Sequence, residues 1–429
     1  MCTLRACVRS VNTPVGEFHR TGNGYRGERV GNADVLKFYM FHHHHYSALP
    51  DDMDDVEATW VSYPNSRFDP QTAHQLYQRH LRTLQLAETL GFDGITINEH
   101  HNTIYSMTPV VSVMAGAVVA ATEHIKIQVA GVPVNLEQPH RVAEAYAMLD
   151  NMSGGRMEYA FPLGTGMEYW SNSNGINPAT SRERFRESLE IILKCWTEDG
   201  PQSFDGDFYR YKYLNPWPKT YQQPRPKCFV VGSGSSSTIE LATDLGLGYS
   251  LVFTPIPHQL KAFEAFREAS ALKGNPCTGD DYFFIANVYV ADTDEQADRE
   301  VRPYIERFWS WFHRVPPKFL LPPGYVSTEE YLRRASDAAL AHGTEATYDD
   351  MAAIGRLAVG SPDTVADILY RWAVDAGTTR MNIVLEHADM PEWMTIKNMT
   401  MFAEEVVPRI RAMGIDAAIT PVPADAVQG

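Results

Sequence analysis

Cysteine is scarce in these 429 residues: Cys2, Cys7, Cys195, Cys228 and Cys277, with no CxxC pair and no zinc-ligand spacing. Such a set reads as reduced thiols, not as a disulfide scaffold or a zinc ribbon. Positive charge is also short. The 37 Lys and Arg against 53 Asp and Glu leave a formal net charge of −16, which would repel phosphates and argues against a nucleic-acid or membrane partner. No apolar run approaches the roughly 18 residues that span a bilayer. The opening MCTLRACVRSVNTPVG lacks the apolar stretch of a secretion signal, so a cytoplasmic location is expected. Low-complexity bias is missing too: 44% hydrophobic residues with 29 Gly and 27 Pro is globular composition, with enough chain for a large core.

What is present is a repeating cycle. Residues 1–34 carry scattered Arg and Gly without apolar period and read as an N-terminal arm; 35–429 read as one domain. Strand-like segments fall at 36–46, 91–101, 125–132, 156–161, 227–232, 249–253, 282–290 and 380–386. Helical periodicity separates them at 71–90, 109–122, 139–152, 182–196, 236–245, 257–272 and 362–376, and a last helix closes the chain around 396–413. An aromatic hairpin at 204–218 and an insertion at 292–360 interrupt the cycle. Gly91, Gly246 and Gly377 each end a helix and lead directly into an apolar strand. Eight βα units with one closing helix predict a (β/α)8 barrel, because an open sheet normally shows a Gly-rich fingerprint after its first strand and this one ends in four histidines.

Barrel function lies at the carboxyl ends of the strands. Those ends read His42–His45, Asn98-Glu99-His100-His101, Gly131–Asn135, Leu163–Gly166, Gly232–Ser237, Thr254-Pro255 and Glu386-His387. Alternation sends His42 and His44 to one face and His43 and His45 to the other. A His-x-His pair invites a metal-hydrolase reading, but later strand tips supply no full ligand set, and no metal is expected. Glu99, His100 and His101 put polar groups at the end of a β-branched strand, where an imidazole serves as a general acid or base. Gly232–Ser237 open a helix whose N-terminal amides suit a phosphate, and the side-chain-poor Ala130-Gly131-Val132-Pro133 suits a flat ring.

The ordered segments GFDGITINEHH, IKIQVAGVPVNLEQPHRVAE, MLDNMSGGRMEYAFPLGTGMEYW, RERFRESLEII, FDGDFYRYKYLNPWPKTYQQPRPKCFVVGSGS and GSPDTVADIL resemble the bacterial luciferase-like flavin monooxygenases over about 36–290 and 355–412. The resemblance implies a (β/α)8 barrel that binds reduced FMN (FMNH2), supplied through NAD(P)H by a separate flavin reductase. Dioxygen then forms a flavin C4a-peroxide that oxygenates a small organic substrate. It implies catalysis by His100 with Glu99 and His101, and a non-prolyl cis peptide at Ala130-Gly131. Cofactor contacts would come from Asn98, Ala130, Gly131, Val132, Arg184 and Gly232 through Ser236. His44, in the histidine run, joins the catalytic candidates on the substrate side. One departure is Leu163, which stands where relatives carry an arginine that reaches the flavin phosphate. The insertion aromatics Trp309, Trp311, Phe312, Phe319 and Tyr325 either line a water-excluding lid or form the buried face of a helix. A deazaflavin-dependent oxidoreductase and a non-catalytic binding paralogue are the alternatives, and the closing helix allows a homodimer.

Overall fold

A computed structural model describes residues 36–415 apart from 51, 52, 54, 165, 172–174, 253, 327, 329–331 and 333–346. The arm at 1–34 and residues 333–346 of the insertion lie outside the described residues.

Eight parallel strands close into a barrel: β1 (Lys37–His42), β2 (Gly94–Ile97), β3 (Lys126–Ala130), β4 (Met157–Pro162), β7 (Lys227–Gly232), β8 (Gly248–Leu251), β9 (Tyr282–Val290) and β11 (Arg380–Val384). Closure runs through β8 beside β9 and β11 beside β1, with Tyr249 opposite Tyr282 and Tyr39 opposite Asn382. The hairpin expected in the fourth unit is antiparallel β5 (Gln202–Asp205) and β6 (Arg210–Leu214). One strand in the insertion was not anticipated. β10 (Leu357–Gly360) pairs with the last four residues of β9, which is long enough to serve β11 first and β10 afterwards.

Helices α1 (Pro70–Thr89), α2 (Val111–Ala121), α3 (Pro139–Met152), α4 (Gly166–Ser171), α5 (Ser181–Thr197), α6 (Ser236–Asp244), α7 (Ile256–Leu272) and α8 (Asp294–Arg307) are followed by Pro362–Ala376 and a closing helix from Glu392 to Ala412 broken by one wide turn. The three expected glycine stops share one geometry. Gly91, Gly246 and Gly377 have φ of +80°, +60° and +64°, and the next amide reaches back to the helix: Phe92 to Ala87, Leu247 to Ala242, Thr378 to Ala373. A side chain other than glycine resists that left-handed conformation, so the stop is local chemistry.

Strand alternation divides the side chains. Phe38, Met40 and their equivalents face the helices in the main core, while the barrel lumen holds Phe41, Ile285 and Val384 and, beside them, Ala160, Phe229 and Phe283. A polar layer crosses mid-barrel, where Asn382 Nδ2 donates to Thr96 Oγ1 at 3.0 Å and to Gln128 Oε1 at 2.8 Å. The amino ends of the strands are closed by charge. Buried Arg380 grips Glu158, and Lys37 and Lys227 meet Asp280. With that end plugged, the opening lies at the carboxyl end.

Candidate active site

A cavity of about 340 Å³ occupies the carboxyl end of the barrel. Its floor is Phe41, Phe283 and Ile285; one wall is the backbone of Ala130-Gly131, and the opposite rim carries Leu320, Leu321 and Tyr325 from the insertion. Gly131 is required here, since a Cβ on it would stand 2.2 Å from the Ala160 carbonyl oxygen. The insertion is fastened across the mouth by Tyr325, whose hydroxyl donates to the Gly164 carbonyl at 2.6 Å. Of the aromatics weighed as lid or helix face, only Tyr325 lines the cavity. Trp309 and Phe312 are buried in a second core, with Trp311 and Phe319 packed against it.

His100 lies in the cavity wall, and its Nδ1 stands 3.1 Å from Oε1 of buried Glu168 on α4. A carboxylate can only accept, so across that contact the proton sits on Nδ1 and the free lone pair on Nε2. Trp60 meets the imidazole edge-to-face at 4.5 Å and is itself held by its Nε1 donating to the Phe312 carbonyl at 3.0 Å. Neighbouring Glu99 also lines the cavity, and both its oxygens are engaged: Oε2 accepts the Val111 amide at 2.9 Å at the start of α2, and Oε1 faces His101 Nε2 at 3.4 Å. That contact lifts the His101 imidazole above its usual range. Glu99 and His101 therefore brace the loop that carries His100.

The glycine-serine turn at 232–237, expected to suit a phosphate, opens on the cavity in part. Gly232, Ser233, Ser235 and Thr238 line the cavity at the start of α6, while Ser236 is exposed and does not. Gly234 has φ of +97°, and its amide is already donated to the Tyr249 hydroxyl at 3.0 Å, so it is not free for a ligand. Arg184 requires a correction. Its guanidinium stacks on Tyr209 at 4.7 Å and bonds to the Asn135 carbonyl and the Tyr209 hydroxyl, away from the cavity. Arg182 is the arginine of α5 that reaches the rim. Two residues apart on a helix point to nearly opposite sides.

Residues 58–380 match the profile of the luciferase-like monooxygenases. The chain belongs to that family. It is 23% identical over 354 residues to the alkanal monooxygenase alpha chain of Photobacterium leiognathi, covering 80% of this chain and 96% of that one. It is 25% identical over 257 residues to the oxygenase component of a flavin-dependent trigonelline monooxygenase from Acinetobacter baylyi, covering 57% and 68% of the two chains. Its fold matches the oxygenating constituent of 3,6-diketocamphane monooxygenase from Pseudomonas putida, solved with FMN, at a TM-score of 0.66 and 19% identity over 87% of this chain and 99% of that one.

Within this luciferase-like barrel, three further expectations are corrected. His44 does not reach the cavity: the strand ends at His42, the chain takes a left-handed turn at His44 (φ +59°), and the ring is buried beside His42 and His80. Burial pushes its pKa down to about 3. The Ala130-Gly131 bond is not cis; the cis bonds among the described residues precede Pro201, Pro218 and Pro224, and the missing Cβ of Gly131 lets the chain pass close to the Ala160 carbonyl of β4. Val132 turns into the main core. Leu163 lies at the rim without filling the cavity.

The cavity suits a polar-edged ring. Asn98 Nδ2 and Ser250 Oγ are buried in its wall with no hydrogen-bond partner among the described residues, and buried polar atoms without partners are rare. Arg182, weighed with Arg184 as a stand-in for the arginine missing at Leu163, is in the wall. Glu168, Trp60 and His313 are wall residues that no motif pointed to, although Glu168 falls four residues beyond the Leu163-Gly164 strand tip.

Proposed function

We propose that this chain is the oxygenase component of a two-component monooxygenase, using reduced FMN and dioxygen to oxygenate a small, fairly apolar organic substrate. A separate NAD(P)H-dependent flavin reductase supplies the reduced flavin. The observation that carries the reading is the meeting, in one largely apolar cavity, of a side-chain-poor wall, a carboxylate-oriented imidazole and a glycine-serine turn at a helix N-terminus.

Ala130 and Gly131 would take the ring face, with Asn98 Nδ2 and Ser250 Oγ at its polar edge. Ser233, Ser235, Thr238 and Arg182 would hold the phosphate, using amides at the start of α6 and one positive charge. Bound reduced flavin supplies the two electrons with which dioxygen is activated. His100 Nε2 takes up and returns the proton at the reacting centre, and Glu168 keeps that tautomer in place. Leu320, Leu321 and Tyr325 keep water from the reacting atoms.

The test supplies photoreduced FMN and labelled dioxygen with a panel of aldehydes, cyclic ketones and N-heterocycles. The reading expects one labelled oxygen atom in the product, dependent on reduced FMN and substrate. Turnover with a reduced deazaflavin that ignores dioxygen would replace it with hydride transfer.

A further inference from the structure

Behind the cavity wall, on the helix side of β1, lies a second cluster of donor groups that the proposed chemistry does not use. His42 at the end of β1, His80 in the middle of α1 and Glu386 just beyond β11 are all buried, and one ligand-competent atom from each falls within 4.8 Å of the others. His42 Nε2 stands 3.0 Å from His80 Nδ1. His42 Nδ1 faces Glu386 Oε2 at 3.6 Å, too long for a hydrogen bond, and both atoms are buried without a hydrogen-bond partner among the described residues. The other carboxylate oxygen accepts Arg79 at 2.8 Å, and the same guanidinium reaches the Met390 carbonyl, so the carboxylate is held in place. The ring of His44 completes the surround, 4.6 Å from that of His42 and 5.2 Å from that of His80.

We propose that His42, His80 and Glu386 supply three ligands of a structural site for a borderline divalent cation of the zinc class. Two imidazoles and one carboxylate are a zinc-type donor set, whereas calcium and magnesium require oxygen ligands throughout. Two nitrogens each about 2.0–2.1 Å from zinc stand about 3.3 Å apart at the tetrahedral angle, so the His42–His80 pair needs to open by only about 0.3 Å. The ion replaces the proton that the two rings share, and that proton leaves to solvent as the metal binds. Closed off from the cavity, the site ties β1, α1 and the loop after β11 together. A search along strand tips misses it because the third ligand, His80, comes from the apolar face of a helix.

The test uses the full untagged chain, stripped with EDTA and desalted. Zinc chloride is titrated by calorimetry in two buffers of different ionisation enthalpy, metal content is read after gel filtration, and cobalt is then substituted for zinc. The expected result is one zinc per chain with net proton release, and the strong visible absorption of four-coordinate cobalt. His80→Gln and Glu386→Gln should each lose that equivalent, while His124→Gln, on the surface, keeps it. A wild-type chain that retains no zinc overturns the proposal. So does full uptake by folded His80→Gln, or a cobalt form with only the faint spectrum of six-coordination. If neither ligand variant folds, the wild-type cobalt spectrum decides the matter alone.

Discussion

His100 Nδ1 and Glu168 Oε1 are 3.1 Å apart, although 68 residues separate them in the chain. One comes from the end of β2 and the other from the short helix after β4, so barrel closure itself assembles the pair. His100→Ala should lower oxygenation by about 10²–10⁴-fold, the usual contribution of a positioned acid or base, with an unchanged melting curve. Glu168→Gln should reduce kcat less, because the amide still reaches Nδ1 but no longer favours its proton. Equal activity in wild type and His100→Ala removes the imidazole from the chemistry.

Arg182 is the arginine at the cavity rim and lies beside the α6 turn. Arg182→Ala should weaken FMN by about tenfold or more, given about 1.5–3 kcal/mol for a charge-assisted contact, and leave riboflavin unaffected. Fluorescence quenching of both flavins measures it. Equal weakening of the two places Arg182 away from the phosphate.

Leu163 shares that rim with Arg182 and Thr238. Leu163→Arg should tighten FMN by about tenfold without tightening riboflavin, as it adds a second charge-assisted contact. Unchanged affinity means that the rim at Leu163 is out of reach of the phosphate.

The charged plug at the opposite end predicts an acid limit to stability. Burial alone would raise the Asp280 carboxyl, but Arg380, Lys227 and Lys37 outweigh it and bring the pKa to about 2 from an ordinary 3.8. A depressed carboxyl stabilises the fold above its unfolded value and loses that contribution as pH falls through the folded one. Asp280 should therefore contribute about 2 kcal/mol at neutral pH that disappears between about pH 4 and pH 2. In Asp280→Asn, urea melts should show a shallower loss of stability over that window than in wild type.

Most of the barrel is legible in the sequence because its signals are local. A left-handed glycine after a helix acts within one turn, which is why Gly91, Gly246 and Gly377 end their helices as read. Strand alternation likewise puts His42 on the helix side, against His80. The site is legible where it sits on strand tips, as with Asn98, His100 and Gly131. It is hidden where long-range packing delivers a side chain. Trp60 reaches His100, and His313 reaches Trp60, from separate loops, and nothing near either residue announces it. The choice between Arg182 and Arg184 depends on helix phase, set by Phe185 and Leu189 packing into the core. β10 escapes because four residues, Leu357–Gly360, give too short a pattern to distinguish strand from loop.

Flavin on the Ala130-Gly131 wall, within reach of His100, is directly visible in a crystal structure of the chain soaked with FMN. Ring density is expected against Ala130-Gly131, phosphate density at Ser235 and Thr238, and His100 Nε2 facing the reactive edge of the ring. A fully loaded flavin bound anywhere else, with the barrel cavity holding only water, would contradict that placement.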